Sequence, residues 1–348
     1  MGTNSSLALP ANLDGLAVSD ITNNAFNSML RLMSVMIPAT VTNIGGKAFY
    51  GSGLTNISIP ASVTTIGSMA FSTCAWLTSI TVQSGNPNFS SVEGVLFDNA
   101  GGTLLQFPGG RPGSYRIPDM ETNIGANAFL NANVADVTFP GNTTSIEDHA
   151  LAGCSGLVSV SLPNSVTNIG AYAFSGCSRL TEIVIPTNVI SLGEHAFEYC
   201  TSLTSLIWPA RLATIGDYAF FDCTRLTMVF AAGNSPYTIW DTFDYDATTI
   251  YVLPEATGWG ANYCGMPVVV WNPVIQPETI GWRENNQFGF TVTGTPNLLI
   301  QIAASTDLAS GGWTPLAYAN LNEGSFVFSD PEPAFYPIRF YSIQFPQW

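Results

Sequence analysis

VTNIGAYAFSGCSRLTEIVIP, residues 166–186, contains the pattern that decides the fold of this chain. Its first part, Ile169-Gly170-x-x-Ala173-Phe174, recurs along the sequence. Further clear copies begin at Ile44, Ile66, Ile124, Leu192 and Ile215, and weaker copies begin at Ile21 and Ile146. The alanines at positions 128, 150, 173, 196 and 219 are separated by 22, 23, 23 and 23 residues. A repeat of this length predicts a solenoid in which each copy forms one coil.

The second part of the repeat, Leu-x-x-Ile-x-Ile-Pro, occurs at 54–60 and 180–186 and, with Val and Leu in place of Ile, at 157–163. Its alternation predicts a short strand with one buried face, which the proline ends. A second short strand, Val-Thr-x-Ile, follows at 41–44 and 166–169. We expect the Ala-Phe pair to pack inward, and the preceding glycine to permit a backbone turn that other residues resist. Stacked coils would then share one continuous core.

The regular period is broken twice. Ala70 and Ala128 are 58 positions apart with no clear copy between them, and we interpret 82–118 as atypical coils within the same stack. Residues 231–272 are interpreted as the cap of a solenoid that spans 1–272. From Pro273 the period is lost, and strand-like runs separated by turn residues predict a small β-sandwich over 273–348. These runs are 288–292, 298–303, 313–319, 325–328 and 338–345.

The domain division has a consequence for proteolysis. If the solenoid and the C-terminal sandwich are separate units, the connection between them is the exposed part of the chain. We therefore expect a protease to cut first between Trp271 and Glu284 and to release a stable solenoid.

These motifs resemble the BspA-type leucine-rich repeat of bacterial surface proteins over residues 20–230. The Gly94-Val-Leu-Phe97 insert is similar to a variant of that family, and Thr249–Pro273 resembles its closing cap. The resemblance implies a mainly β fold, a right-handed solenoid of 22–23-residue coils, and adhesion or ligand binding at a cell surface. Residues 304–341 resemble a domain that closes secreted repeat proteins of environmental bacteria, for which anchoring, export and assembly are alternative roles.

Composition and charge exclude several classes of partner. The net charge is −15, with 24 acidic and 9 basic residues, so nucleic acid and anionic membrane surfaces would be repelled. Mean hydropathy is +0.25, yet no apolar run approaches the length of a membrane span. The N-terminal segment MGTNSSLALPANLDG lacks the features of a signal peptide. The protein is therefore either cytoplasmic or a mature chain with a new start methionine, and the resemblance favours the second.

Motifs for catalysis or metal binding are weak. His149 and His195 occupy one repeat position two coils apart, about 10 Å, which is too far for a shared metal. We interpret them as exposed, variable turn residues. The run Asp241, Asp244 and Asp246 could supply oxygen ligands to calcium, but it lacks the complete loop pattern and is interpreted as a solvated loop. We predict no cofactor and no enzymatic activity.

The cysteines follow the repeat. Cys74, Cys154, Cys177, Cys200 and Cys223 share one position of the coil, whereas Cys264 lies in the cap. Neighbouring members of such a column are within disulfide range, but parallel side chains lie side by side. We predict buried free thiols.

Outward-facing columns carry the remaining functional signal. The first strand presents Ser58, Thr81, Thr138 and Ser161, and then Val184, Ile207 and Phe230. An apolar stripe that replaces a polar column predicts that the C-terminal domain or another molecule covers it. The second strand carries a column of Thr and a neighbouring column of Asn, Ser and Thr. We interpret these columns as serving strand packing and solubility. Glycan binding is the alternative.

We therefore predict a non-enzymatic, extracellular or cell-surface binding or adhesion protein that uses the solenoid face. Its partner would be a protein or a glycan, or other copies of itself, without a membrane span. The alternative is a structural subunit that assembles into a fibre or surface layer. The predicted contact surface consists of Val184, Ile207, Phe230, Tyr172, His195 and Tyr218.

Overall fold

The computed structural model describes residues 5–99, 102–119, 123–238, 242–243, 247–283, 287–308, 312–331 and 338–344. These residues form many short strands and one short 3-10 helix, Asn322–Gly324. The chain folds as a β-solenoid with coils of about 23 residues, followed by a small β unit, as the repeat predicts. In the part of the chain that the structure describes, no helix is long and apolar enough to cross a membrane.

One column of strands begins the coils. It comprises β1 (Ser6–Ala8), β5 (Ser34–Met36), β7 (Asn56–Ile59), β9 (Ser79–Val82), β13 (Gly113–Arg116), β15 (Val134–Thr138), β17 (Ser159–Ser161), β19 (Glu182–Ile183), β21 (Ser205–Trp208), β23 (Met228–Ala231), β24 (Thr249–Val252) and β26 (Met266–Val270). The hydrogen-bonded neighbours are parallel, as in the pairing of Val160 with Ile183. An isolated parallel bridge between Val184 and Ile207 links β19 to β21. Alternate residues point inward, so Ile57 and Ile59 of β7 are buried.

A second column of shorter strands lies further along each coil. It comprises β4 (Asp20–Ile21), β6 (Asn43–Ile44), β8 (Thr65–Ile66), β12 (Thr103–Gln106), β14 (Asn123–Ile124), β16 (Ser145–Ile146), β18 (Asn168–Ile169), β20 (Ser191–Leu192) and β22 (Thr214–Ile215). Polar side chains of this column bond to one another across coils. Ser191 Oγ donates to Asn168 Oδ1 at 2.9 Å, and Thr144 Oγ1 donates to Asn123 Oδ1 at 3.0 Å. These bonds support the packing role predicted for the polar columns.

The Ala-Phe turns form the third side of the coil. Ala173 and Phe174 are fully buried, as predicted for the pair. The Phe174 N–H donates to the carbonyl of Ala196 in the next coil at 2.7 Å. The Phe174 ring stacks on Phe197 with 5.2 Å between centroids, and Phe197 stacks on Phe220 at 5.5 Å. Stacked rings of this kind fill the core beneath the turns.

The repeated glycine has a different role from the one predicted. Gly193 and its counterparts do not adopt positive φ, whereas the residue two positions later does. A Cβ on Gly193 would lie 2.5 Å from the carbonyl carbon of Gly170 and would also collide with the amide nitrogen of Ala171. Glycine is therefore present because adjacent coils approach closely, and the expectation of a glycine turn is wrong.

The segment 82–118 departs from parallel coils. Strand β10 (Phe89–Val92) pairs antiparallel with β11 (Val95–Asp98), and β11 pairs antiparallel with β12. The two-residue turn is Glu93-Gly94, and both residues have positive φ, as this type of hairpin requires. Leu96 packs in the core of the first coils, whereas Val95 and Phe97 pack in the core of the later ones. The hairpin therefore separates two core clusters, where the repeat predicts one.

Other hairpins lie near the two ends of the solenoid. Strands β2 (Asn12–Leu13) and β3 (Leu16–Ala17) are joined by Asp14-Gly15, and β25 (Asn262–Tyr263) is joined to β26 by Cys264-Gly265. All four turn residues have positive φ.

The C-terminal residues form two three-stranded antiparallel sheets. One has the order β27 (Val274–Trp282), β28 (Phe288–Thr293), β31 (Ser325–Ser329). The other has the order β30 (Thr314–Asn320), β29 (Leu299–Ser305), β32 (Phe340–Gln344). Phe290 of the first sheet and Ile300 of the second belong to the same buried cluster. Two sheets that share a core match the predicted sandwich, and we retain its boundary at Pro273 as a proposal.

The proteolysis expectation rests on a wrong premise. Residues 274–282 form strand β27, which hydrogen-bonds to β28, and Trp271 is buried. The Trp271 indole N–H donates to the Leu299 carbonyl at 3.0 Å. The segment before Glu284 is therefore part of the C-terminal sheet and not an open connection.

Candidate functional site

One turn position is held in the left-handed backbone conformation along the solenoid. At this position φ lies between 54° and 63° for Asn24, Lys47, Met69, Asn127, His149, Tyr172, His195 and Tyr218. The backbone N–H at this position bonds to the next coil: that of Tyr172 donates to the Glu194 carbonyl at 2.8 Å, and that of His195 donates to the Asp217 carbonyl at 2.9 Å. Asn tolerates this conformation, whereas bulky side chains rarely adopt it. The repeat geometry therefore places unlike side chains at one point of successive coils.

Four consecutive coils carry a planar ring at this position. His149 stacks on Tyr172 with 4.7 Å between centroids, Tyr172 on His195 at 4.5 Å, and His195 on Tyr218 at 5.3 Å. We call these four side chains the ring ladder. The first two pairs are within 8° of parallel, so the ring faces are covered by one another and the ring edges point outward.

The ring ladder is partly open to solvent. Tyr218 is 37% exposed, and His149 and Tyr172 are half-buried. The His195 side chain is only 23% exposed, so the prediction of two exposed histidines is wrong. The rings shield each other because they stack at the coil spacing. His149 and His195 are separated by the ring of Tyr172, so they do not face a common metal site.

A carboxylate is held beside the ring ladder. Glu198 Oε1 lies 3.3 Å from His195 Nδ1, and Ser175 Oγ donates to Glu198 Oε2 at 3.3 Å. Burial raises the pKa of the Tyr172 hydroxyl, and the negative charges of Glu198 and Glu194 raise it further. Tyr172 therefore remains a protonated hydrogen-bond donor at neutral pH.

The sequence patterns did not single out the residues that flank the ring ladder. Tyr199 is 45% exposed and meets Phe221 edge-on at 5.8 Å, and Tyr218 meets Phe221 in the same way at 5.8 Å. Tyr199 stands in a column that otherwise reads Ser28, Gly51, Thr73, Asn131, Gly153, Gly176 and Asp222. A large ring in a column of small or polar residues was the signal that would have identified it.

The solvent exposure of the apolar stripe of the first strand column changes along its length. Phe230 is 1% exposed and lies in the core of the C-terminal unit, stacked on Tyr251 at 5.2 Å. Ile207 packs against the same cluster and is half-buried, whereas Val184 is 62% exposed. The C-terminal sheets therefore cover the late part of the stripe. Phe230 is withdrawn from the predicted contact surface, because it is already covered within the chain.

Sequence comparison identifies the repeat. A family model described as the BspA type leucine rich repeat region matches residues 7–108 and 116–243, in six copies. The chain belongs to the BspA-type leucine-rich repeat family. None of the curated proteins compared with it is significantly similar.

Three solved structures of bacterial proteins share this fold. A leucine rich cell surface protein from Faecalibacterium prausnitzii is 29% identical, with a TM-score of 0.60 over 66% of this chain and 60% of that one. The pneumococcal vaccine antigen PcpA is 24% identical, with a TM-score of 0.65 over 77% and 68% of the two chains. A leucine-rich repeat protein from Eubacterium ventriosum is 21% identical, with a TM-score of 0.50 over 70% and 82%. The chain thus spans 60% of the length of the Faecalibacterium protein.

The cysteine column of this BspA-type solenoid is buried and reduced, as predicted. Cys74, Cys154, Cys177, Cys200 and Cys223 are free and fully buried. Each thiol donates to a carbonyl of the preceding coil, as from Cys200 Sγ to Phe174 O at 3.2 Å. Burial raises the pKa of the Cys154 thiol to about 12, and it raises the pKa of Cys177 and Cys200 well above the ordinary value. These thiols are therefore not nucleophiles in the folded protein.

We expect the five thiols of this column to react with a maleimide only after unfolding, because they are buried and protonated. The measurement is mass spectrometry of protein labelled before and after addition of guanidinium, in a Cys264→Ser variant that removes the half-buried thiol of the cap. A disulfide between Cys177 and Cys200 in the native protein would contradict the assignment.

The predicted acidic run of this BspA-type chain lies at Asp241, Asp244 and Asp246, outside the described residues. Among the residues that are described, no group of three or more His, Cys, Asp and Glu side chains is arranged to hold a metal ion.

Proposed function

We propose that this protein is a non-enzymatic, extracellular or cell-surface binding protein that contacts a protein or glycan through its ring ladder. The observation that carries the proposal is the stack of four planar side chains on consecutive coils, at a position where other coils have Asn, Lys or Met. The repeat itself does not require rings there, because the fold tolerates small polar side chains at the same φ. Family membership supports a role in binding at a bacterial surface.

The proposal predicts the effect of removing the rings. A triple variant, Tyr172→Asn, His195→Asn and Tyr218→Asn, should bind at least tenfold more weakly to ligands that the wild-type chain captures from glycan and surface-protein arrays. Folding should be retained, because loss of ring stacking costs about 0.5–1.5 kcal/mol per pair. Relief of left-handed strain returns a comparable amount, about 1–2 kcal/mol per residue.

The matched control is Met69→Asn, which makes the same type of change at the same repeat position outside the ring ladder. Binding by surface plasmon resonance should be unchanged in this control. Unaltered binding by the triple variant, with circular dichroism showing a folded solenoid, would reject the ring ladder as the contact surface.

Self-assembly into a fibre or layer is the second candidate function. It is favoured by apolar side chains that the fold leaves exposed: Leu30 and Met36 are each 71% exposed, and Val184 lies at the edge of the covered stripe. Light scattering and negative-stain microscopy of the purified chain distinguish the two functions, because only a structural subunit forms ordered assemblies in the absence of a ligand.

A further inference from the structure

Three of the four turns that carry the ring ladder contain acidic residues, and the turn of Tyr172 is uncharged. Four turn segments, 146–153, 169–176, 192–199 and 215–222, surround the four rings, and they contain no lysine or arginine. Their acidic residues are Glu147, Asp148, Glu194, Glu198, Asp217 and Asp222. The side chains that accompany the rings therefore present one sign of charge.

Three of these carboxylates, those of Glu147, Asp148 and Glu198, are hydrogen-bonded within the solenoid. Asp148 Oδ1 accepts the Ala171 N–H of the next coil at 2.8 Å, and Glu147 Oε2 accepts the Ala126 N–H of the preceding coil at 3.0 Å. Glu198 Oε2 accepts the Ser175 hydroxyl, and Glu198 Oε1 lies 3.3 Å from His195 Nδ1. These contacts restrict the side chains before any partner arrives, which lowers the entropy lost on binding.

The ring faces inside the stack are covered by neighbouring rings and cannot attract a cation. What the rings offer is a rigid apolar edge bearing the hydroxyl of Tyr172 and of Tyr218. Long basic side chains suit such a surface, because their methylene stems pack on apolar groups while the charged ends reach carboxylates. Exposed Glu194 adjoins the left-handed turn at His195 and supplies such a carboxylate.

We propose that the ring ladder and its carboxylates recognise a lysine- and arginine-rich segment of a partner protein. This inference rests on the proposed binding function and specifies the chemistry of the ligand. Electrostatic complementarity of this kind contributes specificity and rapid association, and it weakens as salt is added.

The test uses the full chain and a fluorescently labelled decalysine peptide, measured by fluorescence anisotropy at low and physiological salt. The double variant Glu194→Gln and Glu198→Gln keeps hydrogen-bonding side chains but removes two charges beside the ring ladder. Its control, Asp136→Asn and Glu182→Gln, removes two charges from the outer face of the first strand column. Both variants have the same net charge, so long-range attraction changes equally.

We expect the first variant to bind decalysine roughly tenfold more weakly and the control to change less than twofold, since only the first variant loses charges that lie beside the bound peptide. Equal weakening in the two variants would show non-specific attraction and overturn the proposal, as would absence of binding. The two proposals fail separately. If the triple ring variant abolishes capture of a neutral glycan while the two charge variants bind decalysine equally, the ring ladder is the contact surface but its ligand is not a basic segment. If the triple ring variant captures its ligands as wild type does, the proposed function fails.

Discussion

Replacing Gly193 by alanine is expected to lower the free energy of unfolding of the solenoid by about 3 kcal/mol, close to the upper end for overpacking. The added Cβ would lie 2.5 Å from the Gly170 carbonyl carbon and against the Ala171 amide. These are backbone atoms in a coil that is hydrogen-bonded on both sides, so neither coil can move without disturbing the next. The measurement is the midpoint of urea unfolding followed by circular dichroism.

Gly141→Ala is the matched control, because a Cβ on Gly141 meets no atom within 4 Å. It should leave the midpoint unchanged or raise it slightly, since alanine restricts the unfolded chain. Glu147 shows that one coil accommodates a side chain at the glycine position, with its carboxylate bonded to Ala126. Equal midpoints for Gly193→Ala and wild type would mean that the coils adjust there as well.

The double substitution Ile207→Ser and Phe230→Ser is expected to detach the C-terminal sheets from the solenoid. Phe230 lies in one buried cluster with Trp271, Phe290 and Ile300, and replacement of a buried phenylalanine by a small residue costs about 3–5 kcal/mol. Neither side chain points into the solenoid core, so the coils should remain folded. Hydrogen exchange should rise in residues 288–305 and stay unchanged in residues 166–186.

Val184→Ser supplies the control for this experiment. Val184 occupies the same repeat position and is exposed, so its replacement should change stability by no more than about 0.5 kcal/mol. If exchange in the C-terminal sheets of the double variant equalled that of wild type, the packing of Phe230 would not be what holds them to the solenoid.

The sequence was sufficient to predict the coils, because each inward position repeats. The spacing of Ala173, Phe174, Cys177 and Leu180 predicted which side chains are buried, and all four are. The role of Gly193 was assigned wrongly because two different causes favour glycine: a positive φ, and the close approach of the backbone of an adjacent coil. A repeat pattern in the sequence cannot separate these two causes. The hairpin at Glu93-Gly94 was missed although a two-residue turn between alternating runs predicts one.

The ring ladder could be predicted only in part. The common position of Tyr172, His195 and Tyr218 was evident, but stacking depends on side-chain direction at positive φ, which the sequence does not display. Which residues of the apolar stripe are covered depends on where the C-terminal sheets pack against the solenoid. The pattern predicted a covering for Phe230 and Ile207, and it could not show that coverage stops before Val184.

Because the buried cysteines lie at intervals along the solenoid, their labelling can show which coils have unfolded. Each coil contacts only its neighbours, so loss of structure begins at an end or a weak junction and spreads coil by coil. Cys74 lies on one side of the β10–β11 hairpin and Cys154, Cys177, Cys200 and Cys223 on the other. The order in which the thiols become labelled in mild denaturant therefore shows which half of the solenoid unfolds first. It also shows whether the two core clusters unfold in one step or in two.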